Sequence, residues 1–167
     1  MRQRVTAEEL ASFGHSLAQI HEELPTVDAE NPCGSVEAVG ASLAGNLQQL
    51  DKISARAGVA SIAETLGAMI RGLLDSSRGA IEARRASGRV KECHGDLHCR
   101  NVARYSGRLI AFDCLEFEPA FRWIDVAEEN AFLFMDLRRH GAHAHASAFL
   151  NGYLADSGDY GAARLVH

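Results

Sequence analysis

The sequence predicts a mainly helical α+β protein in which one small β element is set between helices. Three observations predict it. Apolar residues recur at helical spacing along most of the chain. Aromatic residues make up only 7% and Pro occurs three times, while Ala and Gly are plentiful. That mix suits helices that meet through small side chains. Short β-type runs appear only between residues 90 and 112, and two of them flank Ser106-Gly107, a two-residue hairpin signal.

Each element follows in order. Thr6-Ala7-Glu8-Glu9 fits a capping box, a hydroxyl followed three residues later by a carboxylate. Leu10, Phe13, Leu17, Ile20 and Leu24 then mark a helix from about Ala7 to Leu24, which Pro25 stops. Asn31-Pro32 and Gly34 break a loop over residues 25–34. A second helix starts after Ser35, carries Val39, Leu43, Leu47 and Leu50, and breaks at Gly58. Ser61-Ile62-Ala63-Glu64 is another capping-box match. The long helix expected behind it holds Leu66, Met69, Ile70, Leu73, Leu74 and Ile81, and ends near Ser87-Gly88. Val90 to Cys93 is a short strand candidate, and Val102 to Tyr105 and Arg108 to Phe112 are two more. Helix returns near Ile124 and runs to about Arg139. A last helix spans about Ala142 to Asp156, and residues 161–167 resemble the start of another.

The bulk numbers bound the function. A chain of 167 residues is one domain's worth of sequence. A net charge of -5 disfavours nucleic acid as a partner. No apolar run approaches the roughly 18 residues that span a bilayer, so no membrane partner is expected. The four cysteines, Cys33, Cys93, Cys99 and Cys114, read as reduced thiols of a cytoplasmic protein.

The chemistry concentrates in His94-Gly95-Asp96-Leu97-His98-Cys99-Arg100-Asn101 and in Asp113. With Ser106-Gly107 as the hairpin loop, Tyr105 faces Arg108, Val102 faces Ala111, and Asn101 faces Phe112. Asp113 is then one step past Asn101's partner. Paired strands lie roughly 5 Å apart, so Asn101 and Asp113 should sit close enough to share one cation. An amide oxygen and a carboxylate are hard ligands and suit magnesium carried on a nucleotide's phosphates. Asp96, five residues before Asn101, can orient a hydroxyl nucleophile and accept its proton. Gly95 lets the backbone turn sharply between His94 and Asp96. Taken singly, Asp96 could cap a turn, Asn101 could satisfy loop amides and Asp113 could end a strand.

These residues carry a family resemblance. Glu92 to Asn101, followed by Ala111-Phe112-Asp113-Cys114-Leu115-Glu116-Phe117, resembles the aminoglycoside phosphotransferase family. The subgroup it is most similar to has a phosphotransferase-like domain preceding a P-loop ATPase domain. Arg122 to Ala127, Phe132 to Leu137, Tyr153-Leu154 and Gly158-Asp159-Tyr160 resemble that subgroup as well. The resemblance implies a protein-kinase-like C-terminal lobe with the β-hairpin at its active site. It implies transfer of the ATP γ-phosphate to a hydroxyl of a small molecule, with Mg2+. It makes Asp96 the catalytic aspartate and Asn101 and Asp113 the magnesium ligands. His94 would open and support the catalytic loop, and Asp125 would brace it or sit in a helix's first turn. Arg100 departs from the pattern, where a small residue is expected.

The other half of such a site is not visible in the chain. No two glycines stand at i and i+2, so there is no G-x-G, and the only lysines are Lys52 and Lys91. Gly40 to Gly45 has P-loop glycine spacing, but Asn46 and Leu47 follow where Lys and Ser or Thr are required. The chain therefore reads as a single partial domain over residues 1–167, a C-terminal lobe without its N-terminal lobe. Its parent would supply that lobe, with a P-loop domain behind, and the chain alone should turn over ATP poorly.

Two other readings stand beside this one. A kinase-like lobe could serve as a non-catalytic interaction module. A metal-dependent hydrolase could use Asp96-Leu97-His98 with Cys93, His94, His98, Cys99 and Cys114, although these lack the spacing of a closed zinc site. Glu116, Glu118, Glu128 and Glu129 could line an acidic pocket for an amine, or form a solvated face.

Overall fold

Thr6 opens the first helix as its sequence requires. Its hydroxyl accepts the Glu9 amide at 3.1 Å, and the Glu9 carboxylate accepts the Thr6 amide at 2.8 Å. The computed structural model describes residues 5–163, with the Pro119 side chain left out. The expected helix start at residues 161–167 falls partly outside them. Within the described residues, Tyr160–Ala162 is a 3-10 turn.

Among the described residues, five α-helices and four short strands form two compact units, residues 28–88 and the residues on either side of them. The flanking unit holds α1 (Ala7–Glu23), β1 (Val90–Glu92), β2 (Val102–Tyr105), β3 (Arg108–Ala111), β4 (Trp123–Asp125), α4 (Val126–Arg139) and α5 (His143–Ser157). Its core is built from Leu10, Phe13 and Leu17 of α1, Leu133 and Phe134 of α4, and Phe149, Tyr153 and Leu154 of α5, all buried. Each such side chain contributes roughly 1.5–3 kcal/mol by leaving water. α1 and α5 meet backbone to backbone. A Cβ at Gly14 would collide with the Phe149 carbonyl oxygen, and one at Gly152 with that of Ala11.

The hairpin has the register read from its turn. Val102 faces Ala111, Ala103 faces Ile110, Arg104 faces Leu109 and Tyr105 faces Arg108. Ser106 (φ 48°) and Gly107 (φ 81°) both take the left-handed backbone of a type I′ turn. Arg104 is tied to α1 by two guanidinium hydrogen bonds to Glu9, each 2.8 Å.

The expected helix start near Ile124 is corrected. Trp123–Asp125 is a strand, antiparallel to β1, with Lys91 facing Ile124 and Glu92 facing Trp123. β-branched Ile124 and aromatic Trp123 suit a pleated surface. The helix begins one residue past Asp125, whose carboxylate accepts the Ala127 amide at 2.8 Å as the N-cap. The other side of β1 takes residues 25–27. The Val27 amide donates to Val90 O at 3.0 Å, and the Glu92 amide to Pro25 O at 3.1 Å.

The second unit is a helical hairpin of α2 (Val36–Ala57) and α3 (Ala60–Ala86), folded at Gly58-Val59. Gly58 takes the left-handed conformation (φ 72°) that closes α2. The Ser61 capping box does not form. α3 starts at Ala60, with Val59 at the N-cap and no side-chain cap. The connection is so short that Ser61 already lies inside the first turn. α3 turns Ala63, Gly67, Ile70, Leu74 and Ile81 inward and leaves Ile62, Leu66, Met69 and Leu73 exposed. No helix of the described residues is long and apolar enough to cross a membrane.

Candidate active site

The loop from His94 to Asn101 leaves β1 and enters the hairpin through a 3-10 turn at Cys99–Asn101. Gly95 has φ 81°, and a Cβ there would stand 2.7 Å from the Phe121 carbonyl oxygen. Only glycine fits this turn. It sets His94 and Asp96 on a common knot of hydrogen bonds. The Asp96 amide donates to His94 Nδ1 at 3.3 Å, so Nε2 carries the ring proton and donates to the Phe112 carbonyl at 2.8 Å. The Leu115 amide donates to His94 O at 3.1 Å. Both ring nitrogens of His94 are thus taken by backbone, which makes it a positioning residue between the loop and the strand end before Asp113.

Asn101 is buried and links the Asp96 loop to the strand end at Phe112. Its Nδ2 donates to Asp96 O at 3.0 Å and to the Asp96 carboxylate at 3.2 Å. Its backbone carbonyl accepts the Phe112 amide at 3.0 Å, which continues the hairpin by one rung, and Asp113 is the next residue along. The amide nitrogen is occupied within the loop, so the oxygen is the atom left to face a cation. Asp113 is exposed and has φ 63°, a left-handed backbone that a non-glycine residue seldom adopts. His98 accepts the Arg100 amide at Nδ1 (3.2 Å), and its Nε2 stands 3.6 Å from the Asp96 carboxylate. Arg100 leaves this turn intact, since its own amide is what His98 holds.

Glu129 braces the loop, and Asp125 caps α4. Glu129 is 1% exposed, and its carboxylate accepts the amides of His94 (3.0 Å) and Gly95 (3.1 Å). Burial pushes its carboxyl up to about 7, while the two amide donors and nearby Arg122 pull the other way and Glu128 adds to the rise. Glu129 therefore does not line an acidic pocket. Its signal in the sequence is position: it lies on the same helical face as Val126, Leu133 and Leu137, where a carboxylate needs partners. Asp136 is a second support. It accepts the Cys99 amide at 3.0 Å. Burial raises the Asp136 carboxyl, but the Cys99 amide and thiol donors, with His140 and His98, hold it below its ordinary value.

Lys91 has a structural task. Its ammonium donates to the Glu22 and Leu24 carbonyls at 3.2 and 3.1 Å and closes the C-terminal end of α1. Burial raises the thiols of Cys93 and Cys99, the latter to about 12, and the nearby carboxylates add to it. Both thiols are held in their neutral form. Among the described residues, no three His, Cys, Asp or Glu side chains gather around one point suited to a metal.

Fold and site together define a mainly helical α+β protein with a braced Asp–Asn loop running into a hairpin and a final aspartate. No family model matches the chain, and no solved structure matches it. It is similar to an uncharacterized protein of Mycobacterium tuberculosis and to one of Mycobacterium bovis. Each is 27% identical over 156 residues, which cover 93% of this chain and 31% of the relative. The chain thus spans about a third of the length of the curated relatives it matches.

Proposed function

We propose that the chain carries the base-and-magnesium half of an ATP-dependent phosphotransferase that acts on a hydroxyl of a small molecule. The observation that carries this reading is Asn101. Its side chain bonds the Asp96 carboxylate, while its backbone pairs with Phe112, the residue before Asp113. Asp96 is the group that takes the proton from the attacking hydroxyl. Its carboxylate is held from one side by Asn101 and flanked by His98. Asn101 Oδ1 and the Asp113 carboxylate form a hard, all-oxygen pair suited to Mg2+. Bound there with the nucleotide, the metal would neutralise charge on the transferring phosphates. Glu129 and His94 keep the loop in one shape and take no part in proton transfer.

The phosphate-clamping half is assigned to a further segment of a longer protein. The length of the mycobacterial relatives supports this, since this chain matches 31% of each. The test compares the isolated chain with the longer protein that contains it, over a panel of small alcohols, sugars and amino-alcohols with Mg·ATP. The longer protein is expected to transfer phosphate, and Asp96→Asn to lower kcat about 10²–10⁴-fold at an unchanged KM for ATP. The isolated chain is expected to show no sustained turnover. Full activity in Asp96→Asn would remove the reading.

A further inference from the structure

The Asp96 carboxylate has two oxygens, and the loop treats them differently. Asn101 Nδ2 donates to Asp96 Oδ2 at 3.2 Å. His98 Nε2 stands 3.6 Å from the same oxygen. Among the described residues, no hydrogen bond or ion pair reaches Oδ1. The Asp96 side chain keeps 36% of its surface in solvent, and that of His98 26%.

His98 has a nitrogen more than its local task requires. It is the N-cap of the 3-10 turn at Cys99–Asn101, where its Nδ1 accepts the Arg100 amide at 3.2 Å. Asn, Asp or Ser serves that purpose best. An imidazole carries a second nitrogen beyond the cap. Because Nδ1 accepts, the ring proton sits on Nε2, and this N–H is the group beside the Asp96 carboxylate. The ring plane is set as well, since Phe132 meets it edge-on with 6.1 Å between centroids. At 3.6 Å the contact is longer than a hydrogen bond. Such contacts are often long without substrate and tighten when it binds.

We infer that His98 is a positioning residue that, together with Asn101, fixes Asp96 Oδ2 and leaves Oδ1 as the atom that takes the substrate's proton. The inference rests on the phosphotransferase reading. In that step the acceptor oxygen bonds to the γ-phosphorus as the bridging P–O bond breaks. ADP keeps the electron pair of the broken bond, and the hydroxyl proton passes to Oδ1. Two donors on one oxygen resist rotation of the carboxylate, so the same oxygen always faces the hydroxyl.

Two substitutions separate capping from positioning. His98→Asn keeps an acceptor for the Arg100 amide but removes the nitrogen beside Asp96. His98→Gln is long enough to return an N–H to that carboxylate. In the longer protein, His98→Asn is expected to lower kcat about 10–100-fold at an unchanged KM for ATP. His98→Gln should recover most of that loss. In the isolated chain, a long-range 1H–15N spectrum of the imidazoles should show the His98 proton on Nε2. Undiminished kcat in His98→Asn, beside a loss in Asp96→Asn, would overturn this inference and leave the phosphotransferase reading in place. Undiminished kcat in both variants would overturn both. A ring proton on Nδ1, or a Gln variant no better than the Asn variant, would reduce His98 to the cap of its turn.

Discussion

The two compact units use glycine in opposite ways. In α1 and α5, Gly14 and Gly152 let two backbones touch, and any side chain there would strike a carbonyl oxygen. In α3, Gly72 and Gly79 face open space, with nothing within 4 Å of an added Cβ. The same small residue is obligatory in one helix pair and a plain cost in the other. The lesson extends to the apolar residues. α4 and α5 bury Leu133, Phe134, Phe149 and Tyr153, whereas α3 leaves Ile62, Met69 and Leu73 more than 60% exposed. A helix in the first unit is fixed by what it packs against. Much of α3 rests on backbone propensity and a narrow inner stripe.

Substitutions at the close contact should break this comparison first if it is wrong. Gly152→Val is expected to cost about 3 kcal/mol or more, because neither backbone can retreat. Urea unfolding measures it, and a neutral result would show that α1 and α5 do not touch as described. Glu129→Ala comes next. It strands the His94 and Gly95 amides in a buried place, at about 1–3 kcal/mol. The loop amides should lose hydrogen-exchange protection with it.

Two buried groups in the first unit should oppose each other with pH. Glu129 rises from 4.5 to about 7 in the folded state, chiefly by burial. Its protonated form is favoured by folding, so its contribution is full below 4.5 and lost as pH rises through about 7. His21 falls from 6.5 to about 4, by burial and then by the charge of Lys91. Its neutral ring bonds the Tyr153 hydroxyl at 2.9 Å. Its contribution is full above 6.5 and lost as pH falls through about 4. Between pH 4.5 and 6.5 the two slopes cancel in part. Glu129→Gln should leave a stability that rises with pH, and His21→Asn one that falls, each by on the order of 1–2 kcal/mol. Urea midpoints at three pH values test it.

The smallest effect has the opposite sign. Gly72→Ala in α3 should stabilise by about 0.5–1 kcal/mol, since the site is open and alanine favours helix. A destabilised variant would mean that α3 is covered on that face.

Local chemistry was legible in the sequence, and distant pairing was not. The Thr6 capping box and the Ser106-Gly107 turn are decided by residues within four positions of one another. The turn also fixed the rungs up to Asn101 and Phe112. The strand Trp123–Asp125 escaped because its partner is about thirty residues away and the pairing is three residues long. The Ser61 box failed because the tight turn at Gly58 starts α3 early. Glu129 was misplaced because two adjacent glutamates look like a solvated first turn, although one of them stands on the apolar face of α4. The Asn101–Phe112 rung was legible because hairpin register alone relates the two residues.

The central claim is that Asn101 and Asp113 form one divalent-cation site beside Asp96. Mn2+ titration of the 15N-labelled chain in the presence of ATP tests it most directly. Paramagnetic broadening is expected first at the amides of Asn101, Phe112 and Asp113, and to vanish there in Asp113→Ala. Broadening that begins elsewhere, or that survives Asp113→Ala unchanged, would contradict the account.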